Sequence, residues 1–150
     1  MPAMIDKKWI GHAFPSSTLT LERGRLQFFA RAIGETDPVY TDVAAAQSAG
    51  YADLPAPPTF IFGIELESGA SDQLLQTLGI PLKKLLHGEQ GFTFHQPACA
   101  GDTVTVQPRI TEIYDKKGGA LEFVVKLSEA RNQRGELVAE MRTVLVCRHA

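Results

Sequence analysis

The stretch that decides the fold spans residues 58–68 and reads PTFIFGIELES. From Phe60 to Leu66 its side chains are apolar on most sides of a helix. A helix with so wide an apolar surface is buried rather than exposed. Pro58 suits the first turn of such a helix, because proline has no N–H to lose there. The stretch therefore predicts a central helix at about residues 58–68, which other elements must cover.

Shorter helices are expected on the N-terminal side of this segment and directly after it. Leu26, Phe29, Ala30 and Ile33 recur at helical spacing and predict a helix at about 21–33, with Thr20 as N-cap and Gly34 as the residue that ends it. A second helix is expected at 43–49 after Asp42, and a third begins at Ser71 and contains Leu74, Leu75 and Leu78. The prolines within 51–58 predict a fixed, extended loop before the central helix.

The hydrophobic period changes to two downstream of residue 85, which is typical of strands. A first strand contains Phe92 and Phe94, and further strands are expected over 103–114, 120–130 and 136–148. Four apolar residues of the third strand alternate with a mainly polar set, and the apolar face is expected to be buried. The apolar set is Leu121, Phe123, Val125 and Leu127, and the other set is Glu122, Val124, Lys126 and Ser128. In the last strand Ala139, Met141, Thr143, Leu145 and Cys147 alternate with more charged residues.

These elements predict an α+β fold. A buried helix and several long antiparallel strands with one apolar face fit together if the sheet curves around the helix, as in a hot-dog arrangement. The free edge of such a sheet is expected to pair with a second copy of the chain or with a homologue, because unpaired strand edges are a liability.

Length and composition are those of an ordinary globular protein. The 150 residues, 44% of them hydrophobic, predict a single domain over 1–150. The net charge of −2, without a basic stripe, argues against nucleic-acid binding. Two cysteines form no disulfide framework or metal-ligand pattern and are expected to be buried thiols. Since neither a secretory signal nor a membrane-spanning stretch is recognisable, the expected location is the cytoplasm.

Five segments together resemble the MaoC-like hot-dog hydratases and dehydratases, in particular the FAS1-like dehydratase N-terminal type. They are the helix at 21–33, the loop GETDPVY at 34–40, APPTF at 56–60, FTFHQP at 92–97 and AGD at 100–102. The resemblance covers nearly the whole chain and implies reversible hydration of trans-2-enoyl thioesters of coenzyme A (CoA) or acyl carrier protein, giving (3R)-hydroxyacyl products. It implies neither a metal nor a redox cofactor.

Active members of that family have a Gly-Asp-x-Asn-Pro-x-His motif whose Asp and His hold one water and move its protons. Such a pair suits the reaction, because a carboxylate and an imidazole can both exchange protons near neutral pH. Backbone N–H groups at the start of the central helix polarise the thioester carbonyl in this family, at the end of the helix that favours negative charge.

This sequence departs from the motif at the positions that matter most. Gly34 and Pro38 match, but Glu35 occupies the place of the Asp, Asp37 that of the Asn, and Tyr40 that of the His. A longer acid displaces the carboxylate, and a phenol with a pKa near 10 is a poor base at neutral pH. Glu35, Asp37 and Tyr40 are therefore the candidate catalytic positions of a degenerate dyad. Taken singly, Tyr40 is expected to be a packed aromatic residue and Asp37 a turn cap.

The resemblance then implies one subunit of a composite dehydratase, which shapes the acyl-thioester site while a hot-dog homologue supplies the intact motif. Pro58, Thr59, Phe60 and Phe62 are the candidate substrate-binding residues. Phe62, Leu66 and the leucines of the next helix could line an acyl tunnel or belong to the core.

Three alternatives stay open. The chain could be a self-sufficient homodimeric hydratase that uses Glu35, a non-enzymatic acyl-thioester binding protein, or a thioesterase in which Glu35 or Asp37 activates water.

Overall fold

The computed structural model describes residues 4–149 and contains one antiparallel sheet of five strands in the order β1-β3-β4-β5-β2. In chain order the strands are β1 (Ser17–Thr20), β2 (Leu85–Phe94), β3 (Thr103–Lys116), β4 (Leu121–Arg131) and β5 (Leu137–Arg148). The helices are α1 (Arg23–Ala32), α2 (Val43–Ser48), α3 (Gly63–Glu67) and α4 (Ala70–Leu78). The sheet curls into a half-barrel against the helices, which confirms the predicted α+β fold.

Helix α1 is confirmed, but its start is two residues later than expected. Leu26 and Ala30 are fully buried on its inner face. Thr20 does not cap the helix, because it belongs to β1, where its hydroxyl lies 2.9 Å from that of Thr103. Glu22 stands at the N-cap position without a side-chain hydrogen bond to the backbone. Pairing of β1 with β3 therefore fixes the point at which α1 can begin.

The central helix is shorter and less uniformly buried than its sequence indicates. Its first turn, Pro58–Phe62, is a 3₁₀ helix, and only the next five residues form α3. Leu66 is 55% exposed, whereas Glu65 is 4% exposed. The prediction of an all-round apolar helix is therefore wrong at these two positions, where a carboxylate is buried and a leucine is not.

The inner face of β4 is mostly the opposite of the one expected: Val125 is buried as predicted, but Leu121 and Phe123 are only partly buried. The buried set contains Glu122, Val124, Lys126 and Ser128, while Leu127 is 37% exposed. Pairing with β5 places Lys126 opposite Thr143 and Ser128 opposite Met141, so these residues share one face of the sheet. Polar partners on other elements explain why this face can be buried, since a buried polar group needs a hydrogen bond.

Other expected features are confirmed. Asp42 caps α2 by accepting hydrogen bonds from the N–H groups of Ala44 and Ala45. Leu74, Leu75 and Leu78 are buried on α4, and both cysteines are buried free thiols. Among residues 4–149, no helix has the length and apolar character needed to cross a bilayer.

Strand β2 lies at one end of the sheet. In the described part of the chain it pairs with β5 alone, which leaves its other edge unpaired. Exposed apolar side chains lie at both ends of this strand, with Leu86 and Phe94 each 49% exposed. The rings of Phe92 and Phe94 stack with centroids 5.4 Å apart.

A shift in the register of β2 occurs between His87 and Glu89, and it brings Gly88 against β5. A Cβ atom at Gly88 would lie 2.9 Å from Cγ2 of Val146 and 3.3 Å from the carbonyl oxygen of Val144. We expect Gly88→Ala to lower the free energy of unfolding by about 1–3 kcal/mol, because a well-packed site must move to admit the methyl group. Urea denaturation followed by circular dichroism measures the change.

Gly91→Ala is the matched control in the same strand. Among residues 4–149 its added Cβ would meet nothing closer than Cβ of Arg142 at 3.9 Å, an ordinary contact. Equal stability changes for the two variants would contradict the packing argument.

Candidate functional site

The loop that follows α1 has a geometry fixed by the end of the helix. Gly34 has a φ of 76°, a backbone conformation that favours glycine. The N–H of Glu35 donates to the carbonyl of Ala30 at 2.9 Å, and the N–H of Gly34 donates to that of Arg31 at 3.1 Å. This pair of bonds is a Schellman motif, which ends the helix and directs the next residues away from its axis.

Both carboxylates of the loop bind backbone N–H groups of the loop itself. Oε1 of Glu35 accepts from the N–H groups of Thr36 and Asp37 at 2.9 and 3.0 Å. Oδ1 of Asp37 accepts from the N–H of Val39 at 3.1 Å and caps the 3₁₀ turn Pro38–Tyr40. Each side chain thus stabilises a turn, as carboxylates in such positions commonly do.

Tyr40 lies half-buried beside a cavity of about 130 Å³, here named the Tyr40 cavity. Tyr51, Pro58, Ile61 and Phe94 also line it. Burial raises the pKa of the Tyr40 phenol above its ordinary value, and the Glu35 carboxylate adds to the effect. The phenol is therefore protonated at neutral pH and offers an O–H donor rather than a base.

The proline-containing loop before the central helix is tied to the segment after β2. The N–H of Ala56 donates to the carbonyl of Ala98 at 2.7 Å, and the N–H of Ala100 donates to that of Leu54 at 2.8 Å. These two bonds hold Pro58 at the wall of the Tyr40 cavity. The loop expected from the prolines is thus present, although it bends at residues 52–53, and its Pro55 forms an isolated β-bridge with Cys99.

The four residues expected to bind substrate lie in four different environments. Pro58 lines the Tyr40 cavity, whereas Thr59 is exposed to solvent. Phe60 is 8% exposed and packs edge-on against Phe29, with ring centroids 5.3 Å apart. Phe62 lines a second cavity. Among the candidate catalytic residues, Tyr40 borders the first cavity, while Glu35 and Asp37 are not part of its lining.

The second cavity, here named the Lys126 cavity, measures about 160 Å³ and lies between α3, α4 and the sheet. Its mouth includes the exposed Leu66 and Leu82, which are 55% and 73% accessible. Its floor includes Glu65, Lys126 and Thr143, which are 4%, 6% and 3% accessible. Asp72 and His87 are exposed members of the same lining, so a ligand that enters meets mainly apolar side chains, one carboxylate and one imidazole before the buried polar floor.

A salt bridge lies in this floor. Nζ of Lys126 donates to both carboxylate oxygens of Glu65, each at 3.3 Å, and Oγ of Ser128 donates to Oε2 at 3.2 Å. Sequence reasoning missed this group because its members lie more than sixty residues apart. The signal in the sequence was a single charged residue between two apolar ones at both Glu65 and Lys126.

A cross-strand chain of polar groups adjoins the salt bridge. Thr143 is the β5 partner of Lys126, and Gln90 is the β2 partner of Thr143. Oγ1 of Thr143 donates to Oε1 of Gln90 at 2.8 Å, and Nε2 of His87 lies 3.0 Å from the same oxygen. The ring of His87 also contacts that of Phe62, with centroids 5.6 Å apart.

One group of metal-ligating side chains occurs among the described residues, namely Glu122, Cys147 and His149, with ligand atoms within 4.8 Å of one another. Its carboxylate already has partners, since Oε1 of Glu122 accepts from the N–H of Ile5 at 2.8 Å and Oε2 binds Nε2 of His149. Burial raises the pKa of the Cys147 thiol, and the Glu122 carboxylate adds to this, which disfavours a thiolate ligand. The group instead links both ends of the chain to β4.

Comparison with known proteins identifies relatives along most of the chain. A family model described as "FAS1-like, dehydratase domain region" matches residues 8–141. A UPF0336 protein of Streptomyces avermitilis is 36% identical over 149 residues, which cover 97% of each chain. The UPF0336 protein of Thermobifida fusca is 33% identical over 145 residues, which cover 96% of this chain and 94% of the relative.

Solved structures share the fold. A chain of the C-terminally truncated HadBC complex of Mycobacterium tuberculosis, a (3R)-hydroxyacyl-ACP dehydratase, is 27% identical with a TM-score of 0.78; the match covers 92% of this chain and 96% of that one. A MaoC-like dehydratase superposes with a TM-score of 0.82 at 24% identity, over 95% of this chain and 43% of its own length. This second likeness concerns the fold alone.

Proposed function

We propose that this chain, which belongs to the family of FAS1-like dehydratase domains with a MaoC-like hot-dog fold, is the substrate-binding subunit of a (3R)-hydroxyacyl-thioester dehydratase. In this proposal it is a single hot-dog domain that binds an acyl-CoA or acyl carrier protein thioester. A homologous partner supplies the Asp and His that add or remove water. Both subunits act in the cytoplasm, where the two buried thiols suit a reducing compartment.

The observation that carries the proposal is how Glu35, Asp37 and Tyr40, at the motif positions, are hydrogen-bonded and protonated. Hydration needs a base that takes a proton from water while the α-carbon of the substrate gains one. The carboxylates of Glu35 and Asp37 accept hydrogen bonds from their own loop, and the Tyr40 phenol keeps its proton at neutral pH. Each carboxylate thus has one oxygen engaged by its own turn, and neither lies beside an imidazole in the described part of the chain. An uncharged phenol in a largely apolar cavity can instead contact a thioester and exclude water from it.

The two cavities support a role in binding an acyl chain. Pro58 and Ile61 border one, and Phe62 and Leu66, on the same helical segment, border the other. Small-molecule sites are commonly concave and mainly apolar, with a few polar groups that set orientation. The proposal assigns the thioester to the Tyr40 cavity and the far part of the acyl chain to the Lys126 cavity.

The free edge of β2 supports a hot-dog partner. An unpaired edge offers backbone N–H and carbonyl groups to another strand. The HadBC relative is itself a complex of two named components. In the proposal, a partner strand pairs with β2 and brings its own loop close to the Tyr40 cavity.

The experiment compares the purified chain, a homologue that bears the Gly-Asp-x-Asn-Pro-x-His motif, and the two produced together. Hydration of crotonyl-CoA is followed by loss of the enoyl absorbance. We expect negligible turnover by this chain alone and a rate in the complex about 10²–10⁴-fold higher, the range that positioned acid–base groups supply. Replacing the motif Asp of the partner by Asn is expected to remove the gain.

Normal turnover by this chain alone would contradict the proposal. In that case Glu35→Gln tests the self-sufficient alternative, which requires that the variant be inactive. Release of free CoA would identify a thioesterase. Binding of acyl-CoA without turnover beside every motif-bearing homologue would identify a non-enzymatic binding protein.

A further inference from the structure

The floor of the Lys126 cavity has a feature that an alkyl chain does not need. A buried salt bridge is costly to desolvate, and a floor of aliphatic residues would hold a hydrocarbon at least as well. Here the walls and mouth are mainly apolar, while Glu65, Lys126 and Thr143 form the buried end. Polar groups at the blind end of an apolar cavity recognise a polar group at the far end of a ligand.

The free donors and acceptors of the floor indicate which polar group of a ligand would fit there. An ammonium has three N–H donors. In the described part of the chain, Lys126 donates two of these hydrogens to the two carboxylate oxygens of Glu65, so the third stays available. Oγ1 of Thr143 gives its only hydrogen to Gln90, so this oxygen can accept another bond. One donor and one acceptor thus occur on directly opposed residues of β4 and β5.

The charges of the floor disfavour ionised ligand groups. Glu65 and Lys126 neutralise each other, so a carboxylate or an ammonium would lose its hydration without gaining an unpaired opposite charge. A hydroxyl group fits, because its oxygen accepts from Lys126 while its hydrogen donates to Thr143. A carbonyl oxygen makes the first of these bonds only.

We propose that the Lys126 cavity selects acyl chains that bear a neutral oxygen function, preferably a hydroxyl group, remote from the thioester, through Lys126 and Thr143. The inference rests on the proposed function, since it names the kind of acyl group that this subunit holds. It assigns Glu65 the part of a positioning residue, which holds the ammonium of Lys126 toward the cavity.

Matched pairs of saturated acyl-CoAs, from octanoyl to hexadecanoyl, with and without a terminal hydroxyl group, test this by calorimetric titration of the full chain. We expect the hydroxylated member to bind about tenfold more tightly at one or two chain lengths, where its oxygen reaches the floor. Shorter and longer pairs are expected to show no preference. Equal affinity within every pair would overturn the inference while leaving acyl-thioester binding intact.

Two variants assign the preference to the floor. Glu65→Leu/Lys126→Met removes both charges together, which buried salt bridges commonly tolerate without loss of folding. Thr143→Val keeps the salt bridge and removes the acceptor. We expect the double variant to bind both members of a pair equally and Thr143→Val to lose part of the preference. A preference that survives in the double variant would overturn the inference.

A probe without a thioester separates the inference from the proposed function. Octan-1-ol is titrated into isotopically labelled protein, and the backbone amide signals of Lys126, Thr143 and Leu145 are followed by NMR. If no acyl-CoA binds to the chain alone or in its complex, the proposed function fails. The alcohol then decides the inference: shifts in the wild type that vanish in the double variant support recognition of hydroxyl groups by the floor, and their absence overturns it.

Discussion

The triple variant Glu35→Asp/Asp37→Asn/Tyr40→His is expected to hydrate crotonyl-CoA at least about 10²-fold faster than the unmodified chain. The three changes complete the Gly-Asp-x-Asn-Pro-x-His motif between Gly34 and position 40. An imidazole exchanges protons near neutral pH, whereas the pKa of the present phenol is raised by burial. The measured quantity is the initial rate of loss of the enoyl absorbance at fixed protein concentration.

Two partial variants serve as controls for this gain of activity. Tyr40→His alone supplies the imidazole without the short acid, and Glu35→Asp alone does the reverse. Both are expected to stay near the wild-type rate, because the acid and the base act as a unit. The Schellman bonds at Gly34 and Glu35 involve backbone atoms only, so the chain leaves α1 in the same direction in each variant. A folded triple variant that binds acyl-CoA and gains nothing would show that this loop does not face the reacting carbons.

Lys126→Met is expected to lower the free energy of unfolding by about 3–5 kcal/mol, because it leaves a buried carboxylate without its cation. Glu65 is 4% exposed, and Ser128 would be its one remaining side-chain donor among the described residues. Methionine keeps most of the length of lysine, so loss of packing contributes little. Urea denaturation at neutral pH gives the change in free energy.

Glu65→Leu/Lys126→Met is the matched control for that measurement. It removes the two charges together and is expected to be about as stable as the wild type, or more so. A double variant as unstable as Lys126→Met would show that packing of the lysine stem, and not the orphaned charge, accounts for the loss.

Local sequence patterns were sufficient for most of the fold. Helical spacing located α1 and α4, the Asp42 cap located α2, and alternation located the long strands to within about two residues. The ends of these elements depend on local backbone conformation, such as the φ of 76° at Gly34, which ends α1. Spacing and capping signals involve residues that are close in sequence, so they can be recognised without knowledge of the fold.

The face of β4 could not be predicted in this way. Alternation alone favours burial of Leu121, Phe123, Val125 and Leu127, yet of these only Val125 is buried, and all four residues of the opposite face are. The polar face of β4 is buried because of partners that are distant in sequence. Glu65 on α3 binds Lys126, and His149 after β5 binds Glu122. Hydropathy treats each polar residue as if it were alone, whereas its cost of burial depends on partners that only the fold brings close.

Only part of the candidate site could be predicted, again because some of its residues come together only in the fold. The loop after α1 and the start of the central helix were found from motif positions, and Tyr40 and Pro58 do line one cavity. The Lys126 cavity was missed except for Phe62 and the leucines, because its polar floor is assembled from α3, β4 and β5.

The position of β2 links the filling of the cavities to assembly. Phe94 borders one cavity, and Leu85 and His87 border the other, so a strand that docked on the free edge of β2 would run past both mouths. Whatever occupies the cavities in the docked form would hold the two proteins together, and docking would in turn raise the affinity for that ligand, because linkage between two binding equilibria is reciprocal. The affinity for ligand would then be higher in the complex than in the lone chain, and the stability of the complex would grow with the length of the acyl chain that it encloses.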